Sequence, residues 1–544
     1  MQSVTGGEAI VASLIDHNID TVFALPGVQN DHLFNAFYDR RNEIRVLHTR
    51  HEQGAAYMAL GYALTADKPG VFAVVPGPGF LNASAALSTA YARNAPVLGI
   101  SGQIRTTELG RGYGLLHELP DQLGMMKSLT KWADRISSVP EAPRQVATAF
   151  SQMNSGRPRP VMLECPMDVL EARGVAQLPS PRLPVYRPPV DDEQIEQAAA
   201  LLVSAKHPAI FIGGGAIGAG EEILALAEVV QAPIFASFNG RGIVSDRHAL
   251  SHSMTMAHTY WAEADVILAV GTRLQRPLQD WGYDDDLQII RIDIDPEEHR
   301  RIVPPAVSIL ADASQAMAAL VPAVERRTSK RDSRHEEFLG LKAGAEELYA
   351  KLEPQRSYVR LIREELPDDG FYVEEMTQIS YVARYAMPFY EPRTCVTTGY
   401  QGTLGWGFAT ALGVKVANPG KQVISVTGDG GFLFTATELA TAVQHGIATI
   451  TLVFNDGAYG NVRRMQRELY GGRVIASDLH NPDFVKMAES FGAQGLRAHS
   501  LEELRSAIRM GFDAEVPTVI DIPVGQMPGP WSVFPRQRNR PRAK

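Results

Sequence analysis

Two acidic residues that follow predicted strands are the strongest chemical signal in the sequence. Asp429 comes after the apolar run 423–426, and Asp456 comes after the apolar run 449–454. The Gly-Asp-Gly of the first turn and the Asn-Asp of the second are separated by 24 residues, which include a helical stretch around Glu438. Because the carboxyl ends of parallel strands meet at one edge of a sheet, the two carboxylates can lie close together. Two carboxylates suit Mg²⁺, which usually completes its coordination with phosphate oxygens.

The glycines around Asp429 indicate what else could bind at this edge. The turn 428–431 reads Gly-Asp-Gly-Gly, so its backbone N–H groups can approach a diphosphate closely. The N-terminus of the helix that follows also favours negative charge. The alternative is a glycine-rich turn that carries two solvent-facing aspartates.

Three short strings in the first third form a second candidate site. Glu52 lies in the first turn of a predicted helix of small residues that opens with Arg-His-Glu-Gln-Gly-Ala. The other two strings are Pro26-Gly27 and the turn Gly77-Pro78-Gly79, which is followed by Asn82. On its own, Glu52 could simply be an acidic residue that interacts favourably with the helix dipole.

The elements that must position these residues follow one pattern along the chain. Short apolar runs alternate with helical stretches, which is typical of parallel sheets wrapped by helices. The sequence therefore predicts an α/β protein with three domains, each a mainly parallel sheet flanked by helices. The runs read as strands, besides the two named above, are 71–75, 97–100, 209–212, 266–270 and 289–292.

Two stretches separate these domains. The segment 174–190 is rich in proline, and the segment 325–334 is charged and poor in apolar residues. We predict domains at 1–173, 190–325 and 355–530, with a basic tail at 531–544. A solvated, mobile end is the favoured interpretation of the tail, and a tail that folds over a ligand or a neighbouring subunit is the alternative.

Composition excludes several classes of protein. The chain has 544 residues, 45% of them hydrophobic, and a formal net charge of −9, which gives no overall attraction for nucleic acid. No apolar run approaches the roughly 18 residues of a membrane span, and we predict neither export nor membrane insertion. The two cysteines, Cys165 and Cys395, form no CxxC pair, which favours a cytoplasmic protein.

The acidic turns resemble the signature of thiamine diphosphate enzymes, which is Gly-Asp-Gly, about two dozen residues, and then Asn-Asn. In that family the metal is held by the first Asp, the second residue of the Asn pair and a main-chain oxygen two positions later. The resemblance therefore implies Asp429, Asp456 and the main-chain oxygen of Ala458 as ligands of Mg²⁺. The chain departs from the pattern at Asp456, which keeps an oxygen ligand but adds a negative charge.

The strings of the first third resemble the pyrimidine-binding domain of acetolactate synthases and their relatives. The resemblance implies that Glu52 bonds the N1′ nitrogen of the coenzyme, so that the coenzyme's own N4′ imine acts as the base at the thiazolium carbon. Burial should raise the pKa of Glu52 toward neutrality. Leu404, in Gly402-Thr403-Leu404-Gly405, would support the bent coenzyme, and a core leucine is the alternative.

The same resemblance implies further cofactor contacts and an assembly. In that family two subunits hold the two ends of one coenzyme, so it implies a homo-oligomer of at least two chains, dimer or tetramer. The other residues it assigns to cofactor binding are Pro26, Gly27, Gly79, Asn82, Gln378, Gly402, Gly428, Gly430, Gly431, Tyr459 and Gly460.

The middle third contains a competing motif. Gly213 to Gly218 satisfies GxGxxG after a predicted strand, as in dinucleotide-binding proteins. The acidic residue that would bind the ribose is missing from the next predicted strand, at 234–239. We favour a structural turn over a nicotinamide site. Some relatives carry FAD in this domain, so FAD stays open.

The resemblance implies decarboxylation of a 2-oxo acid, after which the enamine is protonated to an aldehyde or joined to a second carbonyl. His117 and Glu118, in Leu-His-Glu-Leu-Pro-Asp-Gln, align roughly with catalytic residues of acetolactate synthases, although a surface position is the alternative. The same string resembles that of a decarboxylase for the guanidino 2-oxo acid derived from arginine.

Other functions are weighed against this one. The stretch 461–466 lacks the tryptophan that anabolic acetolactate synthases place there, and Glu52 argues against a glyoxylate carboligase. Acetolactate synthase proper, a flavin-dependent oxidoreductase of the pyruvate oxidase type and a binding protein without turnover remain the alternatives.

Overall fold

The computed structural model describes residues 1–534 and 537–540. The chain forms two compact units. One unit comprises Met1–Tyr186, Val373–Met376 and Thr398–Val524, and the other comprises Arg187–Tyr372, Thr377–Thr397 and Gly525–Lys544. Three six-stranded sheets, each flanked by helices, confirm the predicted α/β fold.

The first domain has a parallel sheet in the order β3-β2-β4-β5-β7-β6 and a separate antiparallel pair, β1 and β8. All residues of β4 and β5 are buried, as expected for a parallel sheet covered on both faces. The strands are β1 (Gln2–Thr5), β2 (Thr21–Ala24), β3 (Arg45–His48), β4 (Gly70–Val74), β5 (Val97–Gln103), β6 (Trp132–Arg135), β7 (Val161–Pro166) and β8 (Arg173–Ala176). The helices are α1 (Gly6–Asp16), α2 (Asp31–Asp39), α3 (Glu52–Thr65), α4 (Pro78–Arg93), α5 (Gln122–Leu129), α6 (Ala142–Asn154) and α7 (Met167–Glu171).

The second domain has a parallel sheet in the order β11-β10-β9-β12-β13-β14. Its strands are β9 (Pro208–Ile212), β10 (Ile234–Ala236), β11 (Ser251–Ser253), β12 (Val266–Val270), β13 (Gln288–Asp293) and β14 (Val307–Leu310). The helices of this part of the chain are α8 (Asp192–Ser204), α9 (Gly220–Val230), α10 (Met254–Trp261), α11 (Ala313–Glu325) and α12 (His335–Tyr349).

The third sheet has the order β16-β15-β17-β18-β20-β19. Its strands are β15 (Phe371–Glu374), β16 (Cys395–Val396), β17 (Val423–Gly428), β18 (Ile450–Asn455), β19 (Gln494–Arg497) and β20 (Thr518–Pro523). The helices are α13 (Gln355–Glu365), α14 (Gln378–Ala386), α15 (Gly407–Ala417), α16 (Asp429–Phe432), α17 (Leu439–Gln444), α18 (Gly460–Leu469), α19 (Phe484–Phe491) and α20 (Leu501–Asp513).

The register of β17 and β18 brings two turns to one edge of the third sheet. The strands are parallel neighbours, and Gly428 lies opposite Phe454. The turns that contain Asp429 and Asp456 therefore leave the sheet side by side, as the spacing predicts.

Two expectations need correction. Strand β8 pairs with β1 through residue 176, so the proline-rich connection begins later than the predicted 174. The tail is not a solvated end at Arg540, which is only 6% exposed. Its guanidinium donates to the carbonyl oxygen of Trp261 at 2.7 Å and pairs with Asp284 at 2.6 Å, because burying this cation requires hydrogen-bonding partners.

Within the described residues, no helix has both the length and the apolar character that crossing a membrane requires.

Close packing joins α3 of the first domain to α15 of the third domain within one unit. A Cβ atom at Gly61 would lie 2.1 Å from the carbonyl oxygen of Thr410, and one at Gly413 would lie 1.9 Å from that of Met58. Glycine is required at both positions because the helix backbones come too close for any side chain.

We expect Gly413→Ala to destabilise this unit by about 1–3 kcal/mol, because the added methyl group must push the two helices apart. Chemical denaturation followed by circular dichroism measures the change. Gly420→Ala is the matched control, since a Cβ there meets nothing within 4 Å. Equal stability of the two variants would contradict the packing argument.

Candidate active site

Asp429 is the buried centre of the predicted metal site. It is the first residue of α16, and the residue is 2% exposed. Its carboxylate accepts a hydrogen bond from the side-chain amide of Asn481 at 2.6 Å. Burial raises the pKa of Asp429, and the Asn481 amide together with the nearby backbone N–H groups of Gly430, Gly457 and Ala458 opposes the rise. The second acidic turn therefore lies beside the first, close enough for its N–H groups to affect the Asp429 carboxylate.

Asp456 brings a second carboxylate to the same place. Burial raises its pKa to about 6, and the charge of Asp429 is the next cause, so the two groups are electrostatically close. A Cβ atom at Gly460 would lie 2.3 Å from Oδ2 of Asp456, which explains the glycine at the start of α18. The guanidinium of Arg463 lies near this carboxylate, with Nη2 3.6 Å from Oδ2.

The backbone around Ala458 is held by a neighbouring segment. Ala458 pairs with Asp478 in an antiparallel bridge, and the N–H of Tyr459 donates to the carbonyl oxygen of Ser477 at 2.8 Å. Gly457 has a φ of +63°, the left-handed conformation that glycine adopts at little cost. A Cβ at Gly430 would lie 2.6 Å from the ring of Tyr459, so the first turn packs against the second.

Asn481 belongs to this site, and sequence reasoning missed it. Its Nδ2 donates to Asp429 and, at 3.0 Å, to Oδ1 of Asn455, while its own Oδ1 is buried without a hydrogen-bond partner. Two carboxylates, an unpaired amide oxygen and the main chain at Ala458 form an oxygen donor set that fits a hard cation such as Mg²⁺. In the described parts of the chain, no group of three or more His, Cys, Asp or Glu side chains is arranged so that it could hold a metal ion.

Glu375 is a second residue that sequence reasoning missed. Its buried carboxylate accepts hydrogen bonds from the N–H groups of Gly405 and Gly407, at 2.8 and 3.2 Å, and from Oγ1 of Thr427 at 3.0 Å. A Cβ at Gly431 would lie 1.8 Å from its Oε1. Burial raises its pKa to about 7.

Glu375 thereby joins two segments that the sequence assigned to the cofactor. One segment contains Gly402 and Leu404, and the other is the turn 428–431. Leu404 is half-buried, so it is not a residue of the hydrophobic core.

The predicted residues of the first domain form a cluster around Glu52. Oε2 of Glu52 accepts a hydrogen bond from Asn82 at 3.0 Å, and a Cβ at Gly79 would lie 3.4 Å from Oε1. Gly27, next to Pro26, and Gly79 both pack against Val75, with hypothetical Cβ distances of 2.5 and 2.6 Å to its methyl groups. Glu52 is half-buried, whereas full burial was expected.

Glu438 ties this cluster to the third domain within the same unit. It is fully buried, and its two carboxylate oxygens accept the backbone N–H groups of Arg50 and His51 at 3.1 and 3.0 Å. Burial raises its pKa, and these donors oppose the rise. The segment that enters α3 just before Glu52 is therefore fixed by a carboxylate almost 400 residues away.

His117 and Glu118 lie in a loop that packs on the turn at Gly77. The backbone of His117 is left-handed, with a φ of +67°, and its Nδ1 is 3.0 Å from Oε1 of Gln29. A Cβ at Gly77 would lie 2.5 Å from the carbonyl oxygen of His117. The carboxylate of Glu118 accepts hydrogen bonds from the N–H groups of Gly112 and Leu115 at 3.1 and 2.9 Å. These bonds connect residues of the loop in which Glu118 lies.

Two sequence candidates lie in the other compact unit. Gln378 begins α14, and its Oε1 is buried without a hydrogen-bond partner. In the GxGxxG segment, a Cβ at Gly213 would lie 2.4 Å from the carbonyl oxygen of Gly271, and one at Gly215 would lie 2.8 Å from its Cα. Both glycines are needed for packing, which supports the structural interpretation of this turn.

Comparison with known proteins defines the class to which this fold and site belong. Three family models match in order along the chain: the N-terminal TPP binding domain of thiamine pyrophosphate enzymes at residues 4–125, their central domain at 195–320 and their C-terminal TPP binding domain at 375–522. The chain belongs to the thiamine pyrophosphate enzymes, as the resemblance predicts.

Individual relatives cover nearly the whole chain. A protein named probable 2-ketoarginine decarboxylase from Pseudomonas aeruginosa is 34% identical, over 96% of this chain and 94% of its own length. A probable acetolactate synthase large subunit from Methanocaldococcus jannaschii is 32% identical, over 95% of this chain and 91% of its own. The acetolactate synthase large subunit of Haemophilus influenzae is 30% identical, over 97% of this chain and 95% of its own length.

The buried carboxyl group of Glu375 predicts a pH dependence of stability. Because burial raises the pKa of Glu375 to about 7, the folded protein holds this proton more tightly than the unfolded chain does. The contribution of this group to the unfolding free energy therefore falls as the pH rises from 5.5 through 7 to 8.

We expect Glu375→Gln to flatten this dependence by roughly 1–3 kcal/mol between pH 5.5 and 8. Urea unfolding of the protein without metal or coenzyme measures it. Glu489→Gln, an exposed position on α19, changes the net charge equally and serves as control. An unchanged profile in Glu375→Gln would contradict the prediction.

Proposed function

We propose that the protein catalyses a thiamine diphosphate- and Mg²⁺-dependent decarboxylation of a 2-oxo acid, with a guanidino 2-oxo acid as the preferred substrate. The observation that carries the cofactor assignment is the meeting of Asp429 and Asp456 at adjacent strand ends. The 34% identity to a probable 2-ketoarginine decarboxylase supports the choice of substrate. The string 116–122, which resembles that of such a decarboxylase, is a local feature that supports the same choice.

In this proposal the residues of the third domain bind and orient the coenzyme. Asp429, Asp456 and the carbonyl of Ala458 hold Mg²⁺, and the N–H groups of the turn 428–431 bind the diphosphate. Tyr459 and Gly460 shape the second turn. When bound, thiamine diphosphate supplies the carbon nucleophile and the electron sink for loss of carbon dioxide.

In the same proposal, residues of the first domain take part in proton transfer. Glu52 holds the proton that is exchanged with the coenzyme's N1′ nitrogen, and Asn82 orients its carboxylate through the 3.0 Å hydrogen bond. The imidazole of His117, oriented by Gln29, is the acid–base group next to the substrate. Glu118 shapes the loop that carries His117, because both of its carboxylate oxygens accept backbone N–H groups of that loop.

Acetolactate synthase is the second candidate, because relatives of that name are 32% and 30% identical. Product analysis separates the two reactions: an aldehyde indicates decarboxylation alone, and a hydroxylated oxo acid of two joined substrates indicates ligation. The absence of tryptophan from 461–466 favours decarboxylation.

We also propose that the enzyme is a cytoplasmic homo-oligomer. Several large apolar side chains on and after α18 are exposed by 41–76%, as in a surface that binds a second copy. They are Val462, Met465, Leu469, Tyr470 and Ile475. Both cysteines are buried thiols, which suits a reducing compartment. Light scattering after gel filtration should give the mass of at least a dimer.

The substrate assignment is tested with a panel of 2-oxo acids at saturating thiamine diphosphate and Mg²⁺. We expect the highest kcat/KM for the guanidino 2-oxo acid with an unbranched chain, and an aldehyde as product. The same acid without its guanidino group is the control. A preference for pyruvate with formation of acetolactate would contradict the proposal and support the second candidate.

We expect Glu52→Gln to bind the coenzyme normally and to lose at least roughly 100-fold in kcat, because the amide cannot exchange the proton at N1′. Calorimetry measures binding, and carbon dioxide release measures turnover. Glu221→Gln, which removes a first-turn carboxylate from α9, should leave both unchanged. Full activity of Glu52→Gln would overturn its assigned role.

A further inference from the structure

The proposed metal site carries more negative charge than a divalent ion can balance together with a diphosphate. Asp429 and Asp456 both bring a carboxylate, and the charge of Asp429 acts on Asp456 directly. Two carboxylates already offset the two charges of Mg²⁺, so the site gains no net positive charge with which to attract the coenzyme's anion. A further cation is needed close to the turn.

Arg463 is the cation that faces this turn. Its Nη2 lies 3.6 Å from Oδ2 of Asp456 and donates to the carbonyl oxygen of the same residue at 3.3 Å. Its Nη1 pairs with Asp478 at 3.0 Å. The side chains of Arg463 and Asp456 are 15% and 17% exposed, so water screens their interaction only in part, whereas Asp478 is 71% exposed.

The position of Arg463 follows from the local fold. Helix α18 begins at Gly460, immediately after the turn of Asp456, so its first turn lies over that turn. The next residue, Arg464, points elsewhere and bonds Glu468 at 2.6 Å and Asn461 at 2.9 Å. Of these two adjacent arginines in the described part of the chain, Arg463 is the one that contacts Asp456.

We propose that Arg463 is a positioning residue that neutralises Asp456, so that the turn with two carboxylates binds the diphosphate as well as the metal. Asp456 and Arg463 then act together as one neutral oxygen ligand. The inference rests on the proposed function, because it concerns residues proposed to hold the metal. It also accounts for an acidic residue where the family signature has asparagine.

The test is a double-mutant cycle on the full-length protein, with coenzyme affinity as the readout. The dissociation constant of thiamine diphosphate is measured by calorimetry at saturating Mg²⁺, and the half-saturating Mg²⁺ concentration is measured at fixed coenzyme. The variants are Arg463→Gln, Asp456→Asn, the two combined, and Arg463→Lys.

The proposal predicts that one single variant weakens coenzyme binding and that the other raises the Mg²⁺ requirement. Arg463→Gln should weaken coenzyme binding roughly tenfold, because the extra carboxylate repels the diphosphate. Asp456→Asn should require roughly tenfold more Mg²⁺, because an unbalanced guanidinium then lies beside the ion. The double variant should return to within about threefold of the wild type in both measurements, and Arg463→Lys should stay within the same range.

Two controls separate this role from a general structural one. Arg464→Gln removes an equal charge from the next residue, and Asp478→Asn removes the other ion-pair partner of Arg463. Neither should change coenzyme affinity by more than about twofold. A thermal midpoint for each variant without coenzyme shows whether it is folded.

Wild-type affinity in Arg463→Gln, an equal loss in Arg464→Gln, or a double variant no better than Arg463→Gln would each overturn the proposal. Should Arg463→Gln fail to fold, Arg463→Lys is compared with Asp456→Asn instead. Tight coenzyme binding in Arg463→Lys together with a raised Mg²⁺ requirement in Asp456→Asn supports the proposal. Any other pair of results overturns the proposal. Absence of coenzyme binding in the wild type would overturn the proposed function itself.

Discussion

The buried carboxylate of Asp429 accepts a hydrogen bond from the side-chain amide of Asn481, which also donates to Asn455 at the end of the neighbouring strand, and the rest of the proposed site depends on this bridge. It can form because β17 and β18 are parallel neighbours whose ends lie in register. Isolated burial of a carboxylate is costly, so the hydrogen bonds that Asn481 donates to Asp429 and Asn455 fix both turns relative to each other. This arrangement places the carboxylates of Asp429 and Asp456 where both can bind one cation.

Two other buried carboxylates fix further segments of the proposed site. Glu375 bonds the segment around Gly405 to the strand that leads to Asp429, and Glu438 bonds the entry of α3 to the third domain. In each case a carboxylate accepts backbone N–H groups from segments distant in sequence. Such contacts restrict the loops of the site more strongly than apolar packing, because an unsatisfied buried carboxylate would cost several kcal/mol.

The sequence predicted those parts of the site that local pattern determines. Asp429 and Asp456 could be paired because strand ends in a parallel sheet meet at one edge, and the string around Glu52 and the turn at Gly79 could be matched to a family. Asn481, Glu375 and Glu438 could not be found in this way, since the partners named above lie 26 to 388 residues away and no spacing signals the contact. The burial of Arg540 was missed for the same reason.

The most direct test of the account is a crystal structure with thiamine diphosphate and Mn²⁺, in which anomalous scattering locates the metal. The account predicts one ion bound by carboxylate oxygens of Asp429 and Asp456 and by the carbonyl oxygen of Ala458, at about 2.0–2.2 Å. A metal and diphosphate bound elsewhere on the chain, with these carboxylates unliganded, would contradict it.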